Sequence, residues 1–242
     1  MRLRFLTSTP LDIVRGSGTF AGISVLAGAL RDLGHTVDYE LPCRRFPVYT
    51  LERLWFNRAL RRSSAHDVTI GFDMDGYRIA GPGHVASLKG VIADEVRFER
   101  GLARATMSVQ AHCERLHVNR AARVVVTSRY SADRAQEFYG LRDAPAIVPE
   151  LIDLPRWREY LAAHPAQSSR FTVLSVGRFY RRKCIGVLLR AAALLRTSIP
   201  GFEVRIVGNG PCNEPWRRLA HDLGLASTVT WLGDVTRAEL AA

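Results

Sequence analysis

The stretch Phe171-Thr172-Val173-Leu174-Ser175-Val176-Gly177-Arg178 decides the fold class, because it is an apolar, β-branched run that ends at a glycine. Such a run predicts a buried β-strand. Apolar residues at helical spacing follow it, at Leu188, Leu189, Ala192 and Ala193. A second β-rich run then covers residues 202–207. This β–α–β order predicts a parallel sheet with crossover helices, and therefore an α/β protein.

The same alternation of strands and helices fills the rest of the chain. Before residue 164 it predicts strands at 2–7, 37–41, 67–72, 85–88, 123–127 and 146–149, and helices at 20–33, 101–116 and 131–139, the last capped by Ser131. After residue 170 it predicts strands at 171–176, 202–207 and 229–232, helices at 186–196 and 215–223, and a capping box from Thr236 to Glu239. A polar segment with a proline separates the two series. We therefore expect domains at 1–163 and 171–242, joined by a linker at 164–170.

Composition excludes several classes of protein. The chain has 242 residues, of which 47% are hydrophobic and 24% charged, as expected for a globular protein with a core. No apolar run reaches the roughly 18–20 residues of a membrane span, and residues 1–4 do not lead into a signal peptide, so we expect a cytoplasmic protein. The net charge of +11 favours anionic partners. No recognisable nucleic-acid module accompanies it, and we expect no nucleic acid as partner.

The cysteines and histidines indicate no metal site. Cys43, Cys113, Cys184 and Cys212 are far apart, and none forms a Cys-x-x-Cys pair. The seven histidines are also scattered and show no metal-ligand spacing. We therefore expect reduced thiols, no structural metal and no cofactor.

Two glycine-containing segments are candidate phosphate sites. Gly16, Ser17 and Gly18 lie between the first predicted strand and the first helix, where glycines let the backbone approach a phosphate. With Glu40 as ribose ligand, the same string is compatible with a dinucleotide-binding dehydrogenase. Eight residues between strand and first glycine make the loop too long for the tight turn of that fingerprint, and a plain flexible connection also remains open.

The second segment places two cations at one strand end. Gly177 and Arg178 follow the strand directly, and Lys183 stands at the start of the next helix. Open α/β sheets bind ligands at the carboxyl ends of their strands, and a guanidinium with an ammonium suits a diphosphate. Because Arg181 and Arg182 lie in the same turn, a solvated basic turn is the alternative.

Taken together, these strings resemble the retaining glycosyltransferases of family 4, which have the GT-B fold. The resemblance covers essentially the whole chain and rests on the order and spacing of several modest motifs. They are Gly16-Ser17-Gly18 before a helix ending in Leu33-Gly34-His35-Thr36-Val37, Val126-Thr127-Ser128, Val148-Pro149-Glu150-Leu151-Ile152-Asp153 where the family has Pro-Asn-Gly-Val/Ile-Asp, Val176-Gly177-Arg178 with Lys183, Ile206-Val207-Gly208-Asn209-Gly210-Pro211, and Val229-Thr230-Trp231-Leu232-Gly233.

The resemblance implies transfer of a sugar from a nucleotide-diphosphate sugar to an acceptor, with retention at the anomeric carbon. It implies two Rossmann-like domains facing a cleft, with the acceptor, a glycan or a lipid-linked molecule, on the first. Arg178 and Lys183 would stabilise the leaving diphosphate without a metal ion. Donor-binding roles would fall to the glycines and serine of the motifs: Gly16, Ser17, Gly18, Gly177, Gly208 and Gly210. The N–H groups of Gly16 and Gly18 would lie near the diphosphate or near the acceptor.

Three departures from the family pattern stand out. Lys89 occupies the place of a family histidine, so it is either a third catalytic residue or a surface lysine. Cys184 replaces the glycine that usually follows the lysine of the clamp. The later family segment with two glutamates is absent, so we expect an incomplete second domain and a chain that turns over poorly or not at all.

The segment 51–62 mixes aromatic residues and arginines at helical spacing. It predicts either a contact with an anionic membrane at its inner face or an ordinary helix that packs Leu54, Trp55 and Leu60 on the sheet. Two other functions remain open beside the glycosyltransferase: a non-catalytic nucleotide- or phosphate-binding Rossmann-like module, and an NAD(P)-dependent dehydrogenase.

Overall fold

The chain forms two compact units, Met1–Ile152 and Asp153–Ala242. The structure, a computed structural model, describes residues 1–11, 13–164 and 170–241, without the side chains of residues 13–17. The predicted first domain ended at residue 163, whereas the units divide at residue 152. The physical reason is that the helix Leu154–Ala163 packs against the last helix of the chain, Arg237–Ala241. Most of the predicted linker, residues 165–169, lies outside the described residues.

The first unit contains a six-stranded parallel sheet. Its strands are β1 (Arg2–Leu6), β2 (Thr36–Glu40), β3 (Val68–Phe72), β4 (His84–Leu88), β5 (Arg123–Val126) and β6 (Ala146–Ile147). They lie in the order β2-β1-β3-β4-β5-β6, and all described pairs are parallel. The predicted α/β class is confirmed, and the carboxyl ends of all six strands meet at one edge of the sheet.

Helices connect these strands. They are α1 (Ile13–Asp32), α2 (Tyr49–Ala59), α3 (Ile92–Glu95), α4 (Gly101–Arg120) and α5 (Arg129–Tyr139). Ile23 and Ala27 of α1 pack on Leu3, Phe5 and Phe72 of the sheet. Gly34 ends α1 with a φ of 82°, a backbone conformation that favours glycine.

Two helix starts differ from the sequence predictions. Helix α1 begins at Ile13, so Gly16, Ser17 and Gly18 lie inside its first turns and not in a loop before it. The cap of α5 is Ser128, whose side chain accepts a hydrogen bond from the N–H of Ser131, and the prediction of Ser131 as cap was wrong. Ser131 is buried in the first turn, where its N–H needs that partner.

The second unit contains a three-stranded parallel sheet in the order β7-β8-β9. The strands are β7 (Thr172–Val176), β8 (Glu203–Val207) and β9 (Val229–Gly233). The helices are α6 (Leu154–Ala163), α7 (Ile185–Leu195), α8 (Asn213–Asp222) and α9 (Arg237–Ala241). Leu189 of α7 and Ala220 of α8 pack with Val204 and Ile206 of β8, so these helices share one face of the sheet.

The predicted capping box before α9 is confirmed. The N–H of Thr236 donates to Glu239 Oε2 at 2.7 Å, and the N–H of Glu239 donates to Thr236 Oγ1 at 3.2 Å. The two bonds satisfy N–H groups that a helix start leaves without partners.

Candidate functional site

In the second unit, the loops that follow the three strands meet through glycine backbones. The N–H of Gly177 donates to the carbonyl of Val207 at 3.0 Å, and the N–H of Gly208 donates to the carbonyl of Gly233 at 2.7 Å. Gly208 has a φ of 121°, and a Cβ there would lie 2.1 Å from the carbonyl oxygen of Gly177. Only glycine allows the loops after β7 and β8 to approach this closely.

Asn209 and Gly210 continue this contact. The N–H of Phe179 donates to the carbonyl of Asn209 at 2.8 Å, and the N–H of Gly210 donates to Asn209 Oδ1 at 2.8 Å. A Cβ on Gly210 would lie 2.9 Å from the nitrogen of Phe179. The N–H groups of Gly177, Gly208 and Gly210 are thus hydrogen-bonded within the protein, and these glycines shape the edge of the sheet. Their roles in donor binding stay predictions.

Lys183 and Arg178 lie at this edge, as the β–α–β pattern predicted. Lys183 ends a 3-10 turn, Arg181–Lys183, and its aliphatic stem lies 3.9 Å from where a Cβ of Gly177 would stand. The Lys183 side chain is exposed, and its stem runs past the end of β7. Arg178 is half-buried and follows β7 in the same loop. The Arg182 guanidinium stacks 5.1 Å from the centre of the Tyr180 ring. The edge of this unit is therefore strongly cationic.

Cys184 adopts a backbone conformation that glycine prefers. Its φ is 52° and its ψ is 30°, in the left-handed region, and its side chain is exposed. It forms the N-cap of α7 without a side-chain hydrogen bond. The sequence departure noted at this position is therefore a strained residue directly after Lys183.

In the first unit, the structure brings Lys89 against Glu150. Lys89 follows β4 and Glu150 follows β6, so both lie at the carboxyl edge of the sheet. The Lys89 Nζ atom lies 3.0 Å from each of the two carboxylate oxygens. It also lies 5.6 Å from the centre of the Phe72 ring. The Lys89 side chain is only 10% exposed, so it is not a solvated surface lysine. Its catalytic role stays a prediction.

Gly22 of α1 makes room for this carboxylate. A Cβ on Gly22 would lie 2.3 Å from Glu150 Oε2. A glycine inside a helix costs about 1 kcal/mol relative to alanine, and the contact with Glu150 gives a physical reason for it. The sequence analysis quoted Glu150 within the string 148–153 without assigning it a role, and it did not single out Gly22.

A buried charged cluster under this edge was missed by the sequence analysis. Asp73 and Asp75 follow β3, and the guanidinium of Arg53 from α2 lies 3.8 Å and 3.5 Å from them. Asp75 also accepts hydrogen bonds from Ser8 and Asn57. Burial alone would lower the pKa of Arg53, but Asp75 together with other nearby acidic groups, Asp73 among them, more than offsets this and raises the pKa, so Arg53 stays charged. The two aspartates directly after an apolar strand were the signal.

Asp73 links the cluster to Lys89. Its Oδ1 atom accepts a hydrogen bond from the N–H of Lys89 at 2.9 Å. Asp73 itself has a φ of 53°, a strained conformation for a residue with a side chain. The cluster therefore holds the backbone of Lys89 in place.

Two further buried groups carry shifted pKa values. Burial, assisted by Asp73, raises the pKa of Glu114 to about 8, and the carboxyl accepts hydrogen bonds from Tyr139 and from the N–H of Ile92. Burial lowers the pKa of His84 to about 3 and that of His117 to about 4. The two rings share a hydrogen bond of 2.7 Å between their Nε2 atoms. Both rings are therefore neutral and structural at pH 7.

The remaining predicted residues are less informative. The surroundings of Gly16 and the side chain of Ser17 are not among the features that the structure describes. Gly18 is the sixth residue of α1, beyond the first four N–H groups that a helix start leaves free. The Glu40 carboxylate accepts hydrogen bonds from Arg4 at 2.8 Å and 3.2 Å, which occupies the proposed ribose ligand. In the part of the chain that the structure describes, no group of three or more His, Cys, Asp and Glu residues is placed to hold a metal.

Helix α2 packs on the sheet but also exposes apolar side chains, and its contact with a membrane stays a prediction. Phe56 and Leu60 pack on Leu6 of the sheet, as an ordinary helix would. Trp55 is 45% exposed and Leu51 is 53% exposed, so the prediction that Trp55 packs on the sheet was wrong. The reason is helical geometry, since Trp55 and Phe56 point to different sides of the helix. Within the described ranges, no helix is both long and apolar enough to cross a bilayer.

Comparison with known protein families finds a match within the second unit. Residues 158–242 match the family described as glycosyl transferases group 1. A GDP-mannose-dependent alpha-(1-6)-phosphatidylinositol monomannoside mannosyltransferase of Mycobacterium tuberculosis is 33% identical over 125 residues, 49% of this chain and 32% of that protein. A D-inositol 3-phosphate glycosyltransferase of Pseudarthrobacter chlorophenolicus is 34% identical over 135 residues, 52% of this chain and 32% of that protein. The matches thus span about a third of each curated relative.

Solved structures support the fold of the whole chain. A sucrose-phosphate synthase from Thermosynechococcus elongatus superposes with a TM-score of 0.72 at 17% identity, covering 99% of this chain and 72% of that one. WaaG, a glycosyltransferase involved in lipopolysaccharide biosynthesis, superposes with a TM-score of 0.66 at 18% identity, with coverages of 99% and 72%. The chain therefore has the α/β fold of these GT-B glycosyltransferases, and its residues 158–242 match the family described as glycosyl transferases group 1.

Proposed function

We propose that this protein is a retaining glycosyltransferase of family 4, which moves a sugar from a nucleotide-diphosphate sugar to an acceptor. The observation that carries the proposal is the cationic edge of the second unit, where the Lys183 stem lies near Gly177 and Arg178 follows β7 in the same loop. In open α/β sheets this edge is where ligands bind. The family match covers the same unit.

The chemistry requires positive charge at this place. During transfer, the bond between the anomeric carbon and the diphosphate oxygen breaks, and its electron pair goes to the diphosphate. An acceptor hydroxyl oxygen forms the new bond to the anomeric carbon, and its proton passes to the leaving diphosphate. Negative charge therefore grows on the diphosphate in the transition state. Arg178 and Lys183 stabilise this charge, and stabilisation that is stronger in the transition state accelerates the reaction. We propose that two protein cations make a divalent metal unnecessary, so EDTA leaves nucleotide-diphosphate binding unchanged.

The relatives suggest which substrates to test first. The name of the Mycobacterium tuberculosis relative specifies GDP-mannose, and the names of both relatives contain an inositol compound. We propose a hexosyl donor such as GDP-mannose, and an acceptor that is a glycan or a lipid-linked polyol.

The donor site is tested by removing each cation. Loss of one charge-assisted contact costs on the order of 1.5–3 kcal/mol, so Arg178→Ala and Lys183→Ala should each weaken GDP or UDP binding roughly 10- to 150-fold. Arg190→Ala is the matched control, because Arg190 is an exposed cation of the same unit that lies further along α7. Calorimetry on the full chain measures the three affinities. Unchanged binding in both cation variants contradicts the proposal.

Turnover separates the proposal from its alternatives. Hydrolysis or transfer from a nucleotide sugar supports the glycosyltransferase. Tight nucleotide binding without either reaction favours the non-catalytic module. A change in nicotinamide fluorescence on mixing favours the dehydrogenase, although the engagement of Glu40 by Arg4 weighs against it.

We further propose that the first unit contacts an anionic membrane from its cytoplasmic face. Residues 41–62 contain six arginines and one acidic residue, Glu52. Phe46, Leu51, Leu54, Trp55 and Arg58 line an apolar groove of about 270 Å³. Exposed apolar side chains beside arginines suit the boundary between lipid headgroups and acyl chains.

Vesicle flotation tests this contact. The chain should float with phosphatidylglycerol vesicles and not with phosphatidylcholine vesicles, and Trp55→Ser should reduce the floated fraction. Tyr130→Ser is the matched control, because Tyr130 is an aromatic residue of the same unit that is 61% exposed on a different helix. Equal flotation of the two variants argues against α2 as the contact.

A further inference from the structure

The carboxyl edge of the first unit differs in charge from that of the second unit. In the second unit, Lys183 is exposed beside three arginines, Arg178, Arg181 and Arg182. In the first unit, the ammonium of Lys89 is paired with both oxygens of Glu150. The pair carries no net charge, so it has no excess field that would attract an anion.

We propose that Glu150 is a specificity-determining residue, which with Lys89 makes this edge a site for a neutral polyhydroxylated ring and disfavours a phosphate there. The proposal deepens the proposed function and rests on it, because such a ring is the reacting part of a sugar acceptor or donor. The residues lie within one unit, at the edge where open α/β sheets bind ligands.

The geometry leaves the carboxylate available to a ligand. Glu150 is 44% exposed although both of its oxygens contact Lys89. An ionised carboxylate accepts about four hydrogen bonds, so two positions remain for the O–H groups of neighbouring hydroxyls. The ammonium has three N–H donors and keeps one beyond those directed at Glu150. Vicinal hydroxyls both donate and accept, and they match this combination.

The surroundings hold the pair in position. The Lys89 side chain is 10% exposed and lies over the Phe72 ring, while its backbone N–H is bound by Asp73. Glu150 Oε2 lies only 2.3 Å from the position that a Cβ on Gly22 would occupy. Lysine and glutamate are flexible residues, and fixing them before a ligand arrives reduces the cost of binding.

The charge balance gives the proposal its test. Replacing Glu150 with Gln keeps the size of the side chain but removes the carboxylate charge that directly contacts the Lys89 ammonium. A hydroxyl then loses a charged acceptor, whereas a phosphate gains an unpaired cation. The substitution should therefore weaken the binding of a hydroxylated ring and strengthen the binding of phosphate.

We would titrate the full chain with myo-inositol and, separately, with inorganic phosphate, and follow the backbone amides of Gly22 and Lys89 by NMR. In the unsubstituted chain, myo-inositol should shift both amides and phosphate should not. In Glu150→Gln, the affinity for myo-inositol should fall on the order of tenfold or more, as expected for a lost charge-assisted hydrogen bond. Phosphate should then shift the same amides.

Glu137→Gln is the matched control, because it removes a glutamate that forms an exposed ion pair with Arg134 at 2.6 Å near the far end of α5. It should behave like the unsubstituted chain. The proposal is overturned if myo-inositol leaves both amides unshifted, if Glu150→Gln binds it within threefold of the unsubstituted chain, or if phosphate shifts the amides equally in both.

The same samples separate this inference from the proposed function. Nucleotide-diphosphate binding is measured through Arg178 and Lys183 in the second unit, whereas the polyol is followed at Gly22 and Lys89 in the first. If Arg178→Ala and Lys183→Ala do not weaken nucleotide binding, the donor site is refuted. The NMR result at Gly22 and Lys89 then still tests the polyol site independently.

Discussion

Replacement of Cys184 by glycine should stabilise the second unit. Cys184 has a φ of 52° and a ψ of 30°, where its Cβ approaches the following carbonyl oxygen. Its N–H donates to the carbonyl of Arg181 at 3.1 Å, and its carbonyl accepts from Val187 at 2.8 Å. Glycine keeps both backbone bonds and removes only the exposed thiol and its Cβ.

The size of the effect follows from two opposing terms. The left-handed conformation costs an L-residue roughly 1–2 kcal/mol, which glycine does not incur. Glycine in turn loses about 0.5–1 kcal/mol more backbone entropy on folding than alanine. The net gain for Cys184→Gly is therefore about 0.5–1 kcal/mol in the free energy of unfolding. Cys184→Ala removes the thiol but retains the strain, so it should change stability little.

Urea unfolding of the two variants measures this difference. Trp216 and Trp231 pack on Phe179 with ring centres 5.4 Å and 5.8 Å apart, so their fluorescence reports on the core of the second unit. The reasoning predicts that Cys184→Gly is more stable than Cys184→Ala. At an ordinary negative φ the order would be reversed, so a less stable glycine variant would refute the strain.

Two further substitutions test other parts of the structure. Gly208→Ala should destabilise the second unit by about 2–5 kcal/mol, because its Cβ would lie 2.1 Å from a backbone oxygen. The control is Gly201→Ala, at a φ of 75° with open space around it, which should cost only about 0.5–1 kcal/mol. Equal losses of stability for the two variants in urea unfolding would contradict the close approach at Gly208. Glu114 has a folded pKa of about 8 against an ordinary value of 4.5, so the folded state holds one more proton between these values and loses its stabilisation as the pH rises. Glu114→Gln carries no titrating proton, so its free energy of unfolding relative to the unsubstituted chain should rise by about 1.4 kcal/mol per pH unit from pH 5.5 to 7.5. Glu137→Gln is the control. If the difference in unfolding free energy between Glu114→Gln and the unsubstituted chain does not change with pH, Glu114 is not protonated in the folded state.

The sequence predicted the class of the fold and nearly every strand, because the strands of a parallel sheet are continuous apolar runs. It also placed Arg178 and Lys183 correctly at a strand end, since a residue that follows a strand lies at its carboxyl edge whatever the rest of the chain does. Two of its errors lie at helix starts. Helix α1 begins earlier than predicted, at Ile13, and Ser128 instead of Ser131 caps α5.

The pairing of distant residues had no comparable sequence signal. Arg53 and Asp73 are separated by the whole of β3 and the segment before it, yet they form a buried pair because α2 packs beside the end of β3. Trp55 shows the same limit, since its helical spacing is compatible with either a buried or an exposed side chain.

The sequence by itself determined which residues follow each strand, and therefore which charged groups reach the carboxyl edges of the two sheets. Only the tertiary structure decided which of those charges are paired. Lys89 and Glu150 are brought together by the order of β4, β5 and β6, and by a glycine of α1 that leaves space for a carboxylate. The physical reason is that the spacing of apolar residues specifies the local backbone, whereas ion pairing depends on distances across the sheet that local spacing does not encode.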